Sequence, residues 1–452
     1  MRNMIKNKYT YRNICGAAVT ITAVCVFMPV WLNFIEHHNQ TEHLQGLGNI
    51  GMAMIAYVML AGLCLHVMGG YNIGVDRRLN VVTAQVIAFF ITNILEVFVS
   101  CAITGQFRFA PIFIREYFFM WIVQSILVSA FTARCISVYR REYPPLSVLE
   151  VRGRHTNELE DKIRERSDKY RIDKVVDCGE EDEIAESLDE YDALLLNDVP
   201  TDVEKRLVKI CYDRSKRIYI TPKLSDIILN GAAPIHLFDT PLLLTEGNPL
   251  EYEERVIKRA WDIVFSLILL ILLSPIMLIT ALIIKLSDGG PVFYRQIRCT
   301  KNGRRFEILK FRSMVVDAEK AGRAVLATKD DPRITKVGRI IRKCRIDELP
   351  QLINVFKGDM SFVGPRPERP EFIEKYMEEM PEFSYRMKVR AGITGYAQLY
   401  GKYNTKPYDK LKFDLYYIEQ FSLGLDIRLM ILTFKILFTK ESTEGTSERI
   451  EA

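Results

Sequence analysis

Asp347 and Glu348 stand side by side in "RKCRIDELPQLINVFKGDMSFVGPRPE", Arg342 to Glu368, just after the cations Arg339, Arg342, Lys343 and Arg345 and ahead of a Pro-Arg-Pro segment. Two adjacent acids can divide the work of a group transfer, one attacking as an ionised nucleophile and the other holding a divalent cation. Leu349, Leu352, Ile353 and Phe356 mark one apolar face of a helix, which puts both acids in its opening turn and Pro350 where proline is tolerated. The helix dipole and the flanking cations are expected to hold both carboxylates ionised, with low pKa values. Acids at a helix start are also common caps, so the pair acquires catalytic meaning only from its surroundings. Those surroundings are cationic. Arg366 lies between prolines of fixed φ in "GPRPERP", a stiff backbone suited to presenting a guanidinium to phosphate. Across "GGPVFYRQIRCTKNGRRFEILKFRSM" and "DPRITKVGRIIRKCRIDELPQL" basic residues exceed acidic ones about threefold, a surface that attracts anionic headgroups and phosphorylated substrates. No nucleic-acid reading motif accompanies this charge.

The elements that must position these residues begin in a membrane. Four apolar stretches, about Ile14 to Ile35, Ile50 to Met68, Val81 to Ile103 and Tyr117 to Val138, each approach the about 20 residues that cross a bilayer as helix. The first lacks a signal-peptide cleavage site and is expected to be retained. Arg2, Lys6, Lys8 and Arg12, then Arg77 and Arg78, then Arg134, Arg140 and Arg141 fall on one side, whereas Glu36 to Gly46 has no Lys or Arg. Both ends of this four-helix domain, residues 1–145, therefore face the cytoplasm. Glu96 within the third span reads either as a functional acid or, more plainly, as a helix–helix hydrogen bond or a protonated side chain. His37, His38 and His43 read as a solvated loop face rather than a metal site. Nine scattered cysteines, without C-x-x-C spacing, read as reduced thiols of a chain whose polar parts are cytosolic.

After Pro144-Pro145, the runs "VLEV", "KVVDC", "YDALLLND" and "RIYITP" alternate with charged stretches of helical period, predicting a small parallel sheet flanked by helices over 146–248. This Rossmann-like α/β domain has no G-x-G-x-x-G after any strand, so it reads as a structural or regulatory module rather than a dinucleotide holder. A fifth apolar run, about 24 residues from Ile263 to Leu286, is long enough to cross again. A crossing would export the most cationic part of the chain, and Ser274-Pro275 interrupts the run with a missing backbone donor. The expectation is a re-entrant helix hairpin, about 258–287, that enters and leaves by the cytoplasmic face. It opens a mostly α catalytic domain, 249–452. The fold class is thus a membrane α-helical bundle, an α/β middle domain and an α-rich domain with a re-entrant helix. "LDIRLMILTFKILFTK" could lie flat at the interface or pack on the hairpin.

From Lys258 to Lys440 the motifs "FYRQIR", "KNGRRFEILKFRSM", "RKCRIDELPQLINVFKGDMSFVGPRPE", "RAGITGYAQLYG" and "KFDLYYIEQFSLGLDIRLMILT" occur in the order found in bacterial sugar transferases. The chain resembles that family, the polyprenyl-phosphate hexose-1-phosphate transferases, and its four spans and middle domain resemble the long form. The resemblance implies a phosphoglycosyl transferase that starts exopolysaccharide, capsule or O-antigen repeat units. Asp347 would attack the β-phosphorus of a UDP-sugar, releasing UMP and leaving a phosphosugar-aspartyl intermediate that undecaprenyl phosphate then takes up. Glu348 would bind Mg²⁺. Lys310, Arg312, Arg342 and Arg366 fall on phosphate-contacting positions, and Ser274 and Pro275 on the helix-breaking pair. Membrane lipids are further partners and nucleic acid is not; whether protomers pair as a homodimer is left open by the sequence. After "GYAQLYG" many members carry Arg-Asn or Arg-Asp, where this chain has Lys402-Tyr403-Asn404. Lys402 keeps the charge of a sugar or nucleotide contact but not the planar fork, so neither glucose nor galactose is assigned. The competing reading, a catalytically silent scaffold for polysaccharide export, predicts that Asp347→Asn leaves function intact.

Overall fold

A computed structural model describes residues 7–38, 47–153, 159–245, 247, 250–316, 331–401 and 405–437. The chain separates into two compact units, Met1–Pro222 and Lys223–Ala452.

The first unit opens with four long helices, α1 (Lys8–His38), α2 (Leu47–Met68), α3 (Arg78–Thr104) and α4 (Ala110–Glu142). Each is long and apolar enough to cross a bilayer. Their bundle interior is partly polar. Asn93 donates to Gln124 at 3.1 Å, Gln124 donates to Tyr57 at 2.6 Å and to the Ala23 carbonyl at 3.1 Å, and Ser100 pairs with Tyr117 at 2.7 Å. These bonds tie the helices together, which side-chain amides and hydroxyls do well where no water competes. Glu96 is fully buried and neither carboxylate oxygen has a hydrogen-bond partner, so of its readings the helix–helix hydrogen bond is not made, and its neighbours make such bonds instead. His37 caps the Asn33 carbonyl and His38 stacks on Phe34; His43 lies outside the described residues, and no metal-ligand cluster occurs among the described ones. All nine cysteines are free.

The sheet comes directly after the bundle: β1 (Leu146–Arg152), α5 (Leu159–Arg164), β2 (Tyr170–Asp177), α6 (Glu181–Ser187), β3 (Ala193–Asn197), α7 (Thr201–Asp213) and β4 (Arg217–Ile220). All pairings are parallel, in the order β2-β1-β3-β4. Leu149, Val151, Leu194 and Leu196 face the helix side with Leu207 and Cys211, so the near-continuous apolar runs of β1 and β3 are explained by burial on both faces. The basic residues at the span ends also anchor this sheet domain: Arg77 reaches Glu165 at 3.0 Å, Arg140 reaches Asp168 at 3.0 Å, and Arg166 donates to the Val75 carbonyl at 2.7 Å.

The second unit begins with α8 (Leu224–Asn230) and the antiparallel hairpin β5 (Ala233–Leu237) and β6 (Thr240–Leu244), so the segment 223–248 groups with the C-terminal half of the chain rather than with the parallel sheet. Next come α9 (Tyr252–Asp288), β7 (Phe293–Cys299), β8 (Arg305–Phe311), α10 (Lys336–Lys343), a 3₁₀ turn Ile346–Glu348, and α11 (Gln351–Lys357). After β9 (Ser361–Val363) and α12 (Pro370–Glu379), a second 3₁₀ turn, Pro381–Lys388, leads to β10 (Gly392–Thr394), α13 (Tyr396–Tyr400), α14 (Pro407–Glu419) and α15 (Leu423–Leu437). Ile227 and Leu250, which precede α9, share one core with Phe306, Val363, Leu415 and Leu429, which come after it. The first turns of α9 are held there. Lys258 pairs with Asp426, Arg259 donates to the Val355 and Phe356 carbonyls at 2.7 Å, and Asp262 accepts from the Ser361 hydroxyl and the Phe362 amide at 3.0 Å. At the far end Asp288 pairs with Arg312, and Ile284 packs with Phe311 and Ile341. The opposite face of α9, including Ile271, Leu272, Leu278 and Leu286, is exposed and apolar.

Ser274-Pro275, the expected breaking pair, lies within α9, with helical backbone on both sides of it. Pro275 has no amide to donate to the carbonyl four residues back, that of Ile271. Ser274 Oγ donates to that same carbonyl at 2.8 Å, so the acceptor that proline orphans is satisfied at the place where a proline bends a helix.

Candidate active site

The acid pair sits in the 3₁₀ turn ahead of α11, with Pro350 as the residue before its first turn. Arg345 opens that turn in the left-handed region, φ 53°, a conformation unusual for a side-chain-bearing residue. This turn separates α10 from α11, so cations of one helix and acids of the next converge.

Glu348 is the hub of the charge. Its side chain is 16% exposed, and Lys310 from the end of β8 donates to its Oε1 at 3.0 Å. Arg366 stands 3.6 Å from Oε1 and Arg345 3.6 Å from Oε2. Burial works against the charged form, yet Lys310, Arg366 and Arg345 together outweigh it and hold the Glu348 carboxyl well below the usual range. Asp347 behaves oppositely. Burial, and then the negative charge of Glu348, push it up to about 6 against the pull of Lys310, Arg342 and Arg345. The expectation of low values for both acids is thus corrected for Asp347, because the field of the cations falls mainly on its neighbour. No described residue donates a hydrogen bond to the Asp347 carboxylate.

Arg342 sits on the last turn of α10, where its charge acts on Asp347. Arg312 is elsewhere. Its side chain is 7% exposed; it donates to the Pro291 carbonyl and to both oxygens of Asp288, so it locks the end of α9 to β8 instead of facing the acids. Ser274 and Pro275 belong to α9, and Lys402 lies outside the described residues.

Several residues that sequence reasoning passed over hold this site in place. Asn354 accepts from the Leu309 amide and donates to the Glu307 carbonyl, joining α11 to β8, the strand that carries Lys310. Arg386 and Asp414, 4% and 1% exposed, form a buried ion pair at 2.9 Å. Their only sequence signal was occurrence inside the motif-rich stretch, since a buried Arg reads in sequence like any surface cation.

The unit carries a further signature in its relatedness. Residues 253–440 match the sequence profile of the family described as "Bacterial sugar transferase". Over 192 residues the chain is 37% identical to an uncharacterized sugar transferase, EpsL, of Bacillus subtilis (strain 168), covering 92% of that protein and 42% of this chain. The chain therefore belongs to the bacterial sugar transferase family. Among its relatives is a protein of Aeromonas hydrophila named UDP-N-acetylgalactosamine-undecaprenyl-phosphate N-acetylgalactosaminephosphotransferase, 41% identical over 49% of this chain and 52% of the relative. Another, from Escherichia coli (strain K12), is named UDP-glucose:undecaprenyl-phosphate glucose-1-phosphate transferase, 41% identical over 45% of this chain and 43% of the relative. The chain spans about half the length of these two relatives.

Proposed function

We propose that the protein transfers a sugar-1-phosphate from a UDP-sugar to undecaprenyl phosphate, the first step of repeat-unit assembly for an exopolysaccharide, capsule or O-antigen. The observation that carries this reading is the asymmetry of the acid pair. Glu348 is held by three cations, Lys310 at 3.0 Å and Arg366 and Arg345 at 3.6 Å, while the half-buried Asp347 carboxylate has no hydrogen-bond donor among the described residues. An Asp347 oxygen forms a bond to the β-phosphorus as the bond to the UMP oxygen breaks, and UMP leaves with its electron pair. A phosphate oxygen of undecaprenyl phosphate then attacks the same phosphorus, and the aspartyl bond breaks to restore Asp347. Lys310, Arg342, Arg345 and Arg366 supply the positive field that a diphosphate needs. The family names of the relatives, which pair UDP-sugars with undecaprenyl phosphate, agree with this chemistry.

Mg²⁺ fits the donor set in part. Magnesium commonly takes one or two carboxylates, with substrate phosphates and water completing its shell, and Glu348 beside Asp347 offers hard oxygens of that kind. Glu348 would hold the ion, and the ion would neutralise diphosphate charge. Among the described residues no third acidic or imidazole ligand joins them, so the remaining ligands would come from substrate and water.

A lipid acceptor requires the site at the bilayer surface. Because residues before and after α9 share one core, its ends belong on one side of any bilayer, which supports a re-entrant rather than a crossing helix. With the basic span ends setting the orientation, both soluble parts then lie in the cytoplasm.

The test is UMP release and trapping of a phosphosugar on purified full-length protein, with a panel of UDP-sugars. Wild type should yield an adduct lost in Asp347→Asn; UMP release at the wild-type rate by Asp347→Ala excludes the covalent route.

A further inference from the structure

The segment that carries Arg366 to Glu348 is gripped along its backbone from Ser361 to Glu368. Asp262 accepts from the Ser361 hydroxyl and the Phe362 amide, Tyr417 donates to the Val363 carbonyl at 3.1 Å, and the Gly364 amide donates to the Thr394 carbonyl at 2.9 Å. The Gly392 amide donates to the Pro365 carbonyl at 2.9 Å, and the Cys299 amide to the Glu368 carbonyl at 3.0 Å. Between them stand two guanidinium groups, that of Arg386 buried and that of Arg298 partly buried. Arg386 Nη2 donates to the Arg366 carbonyl at 2.9 Å, and Arg298 Nη1 donates to the Pro367 carbonyl at 3.2 Å. Glu368 lies 3.8 Å from each of these arginines.

Arg386 is the costlier of the two to keep. It is 4% exposed, and the same Nη2 lies 2.9 Å from Asp414 Oδ2, in an ion pair that is not an aligned hydrogen bond. Burying two charges in poor mutual alignment is unfavourable when stability is the sole gain, and an apolar pair of similar volume commonly serves better. What the pair does achieve is geometric. An apolar side chain at 386 could not donate to the Arg366 carbonyl, and a lysine could not present a planar fork that bridges that carbonyl and a carboxylate. The Arg366 side chain itself, 43% exposed, projects from this fixed backbone to within 3.6 Å of Glu348.

We propose that the buried Arg386–Asp414 pair is a positioning device for Arg366: Asp414 orients the Arg386 guanidinium, which fixes the Arg366 carbonyl and so aims the Arg366 side chain at the acid pair. Neither Arg386 nor Asp414 touches substrate. The role rests on the reading of Arg366 as a phosphate-contacting residue. An anchor of this kind sets where a transition-state contact falls, and a displacement of about 1 Å at such a contact is enough to cost about a hundredfold in rate.

The experiment is a double-mutant cycle on the full-length enzyme in lipid nanodiscs, reading kcat and KM for UDP-sugar consumption with thermal midpoints alongside. Arg386→Lys and the near-isosteric Asp414→Asn should each lower kcat about tenfold or more, with KM changed less than about threefold. In an Arg366→Ala background the same substitutions should cost less than about twofold, because the residue they position is gone. Full multiplicative losses in that background overturn the positioning role and leave the transfer reaction standing. Wild-type activity of Arg366→Ala overturns both the positioning role and the phosphate contact on which it rests. Asp414→Asn provides the answer if Arg386→Lys fails to fold.

Discussion

Lys310 donates to Glu348 at 3.0 Å, and through that one bond the end of β8 is fastened to the turn that carries the acid pair. The contact has two consequences. It leaves Glu348 ionised despite its burial, and the same ammonium pulls Asp347 down against burial and the Glu348 charge, which still push its carboxyl up to about 6. A neutral side chain at 310 would remove both effects.

Lys310→Met is accordingly expected to reduce kcat about a hundredfold, the range seen when one preorganised charge contact is lost. Lys310→Arg should recover part of the loss. Steady-state UMP release decides the matter, and a Lys310→Met enzyme within about twofold of wild type would show that the charge on Glu348 plays no part in turnover.

Asp414 gives stability a pH dependence of defined sign. Burial is the main cause raising its carboxyl to about 6 from the ordinary value of 3.8, with Arg386 pulling the other way. The folded protein thus binds this proton more tightly than the unfolded chain does. Its contribution is favourable below the unfolded value and is lost as pH rises from about 4 to about 6, an effect of about 3 kcal/mol. Thermal midpoints of Asp414→Asn relative to wild type should therefore shift in favour of the variant across that window and stay level above it. A difference independent of pH between about 4 and about 7 contradicts the assignment.

The course of α9 is tested by labelling. In a background lacking the exposed cysteines Cys25 and Cys344, Tyr252→Cys and Leu286→Cys place thiols at exposed sites near its two ends. An impermeant reagent should reach both only from the cytoplasmic side of oriented membranes. Labelling from opposite sides means that the helix crosses.

The β5–β6 hairpin is the surface we expect to pair in a homodimer. All ten of its strand residues are exposed, Phe238 at its tip is 92% exposed, and both outer edges lack a neighbouring strand among the described residues. Lipid cannot satisfy open strand edges, whereas a second copy offers the same edge in two-fold symmetry. Leu243→Cys should give a disulfide-linked dimer under mild oxidation in nanodiscs. A Leu243→Glu protein that stays dimeric by native mass spectrometry removes the hairpin from the contact.

Some of this architecture was written locally. The four spans and the strands β1 to β4 are legible from apolar length and alternation, because bilayer thickness and sheet burial each impose a period that a short window of residues displays. Asp347, Glu348, Lys310 and Arg366 could be named from motif and charge alone. Their division of labour could not. Which acid keeps its charge depends on where Lys310, Arg345 and Arg366 come to rest, and those residues arrive from β8, the turn before α11 and the loop after β9.

Position in space also separated residues that sequence treated alike. Lys310 and Arg312, two places apart, part company because the strand ends between them at Phe311: Lys310 within it reaches Glu348, whereas Arg312 beyond it reaches Asp288. Ser274-Pro275 was legible as a helix-breaking pair, but that the serine hydroxyl supplies the donor that proline lacks was not. Arg386 and Asp414 left no periodic trace, since a buried ion pair joins residues distant in the chain. Composition, span length and the adjacency of the two acids among cations were thus properties of the sequence by itself. The pairing of those charges was decided by tertiary structure, because electrostatic energy depends on separation and burial rather than on order along the chain.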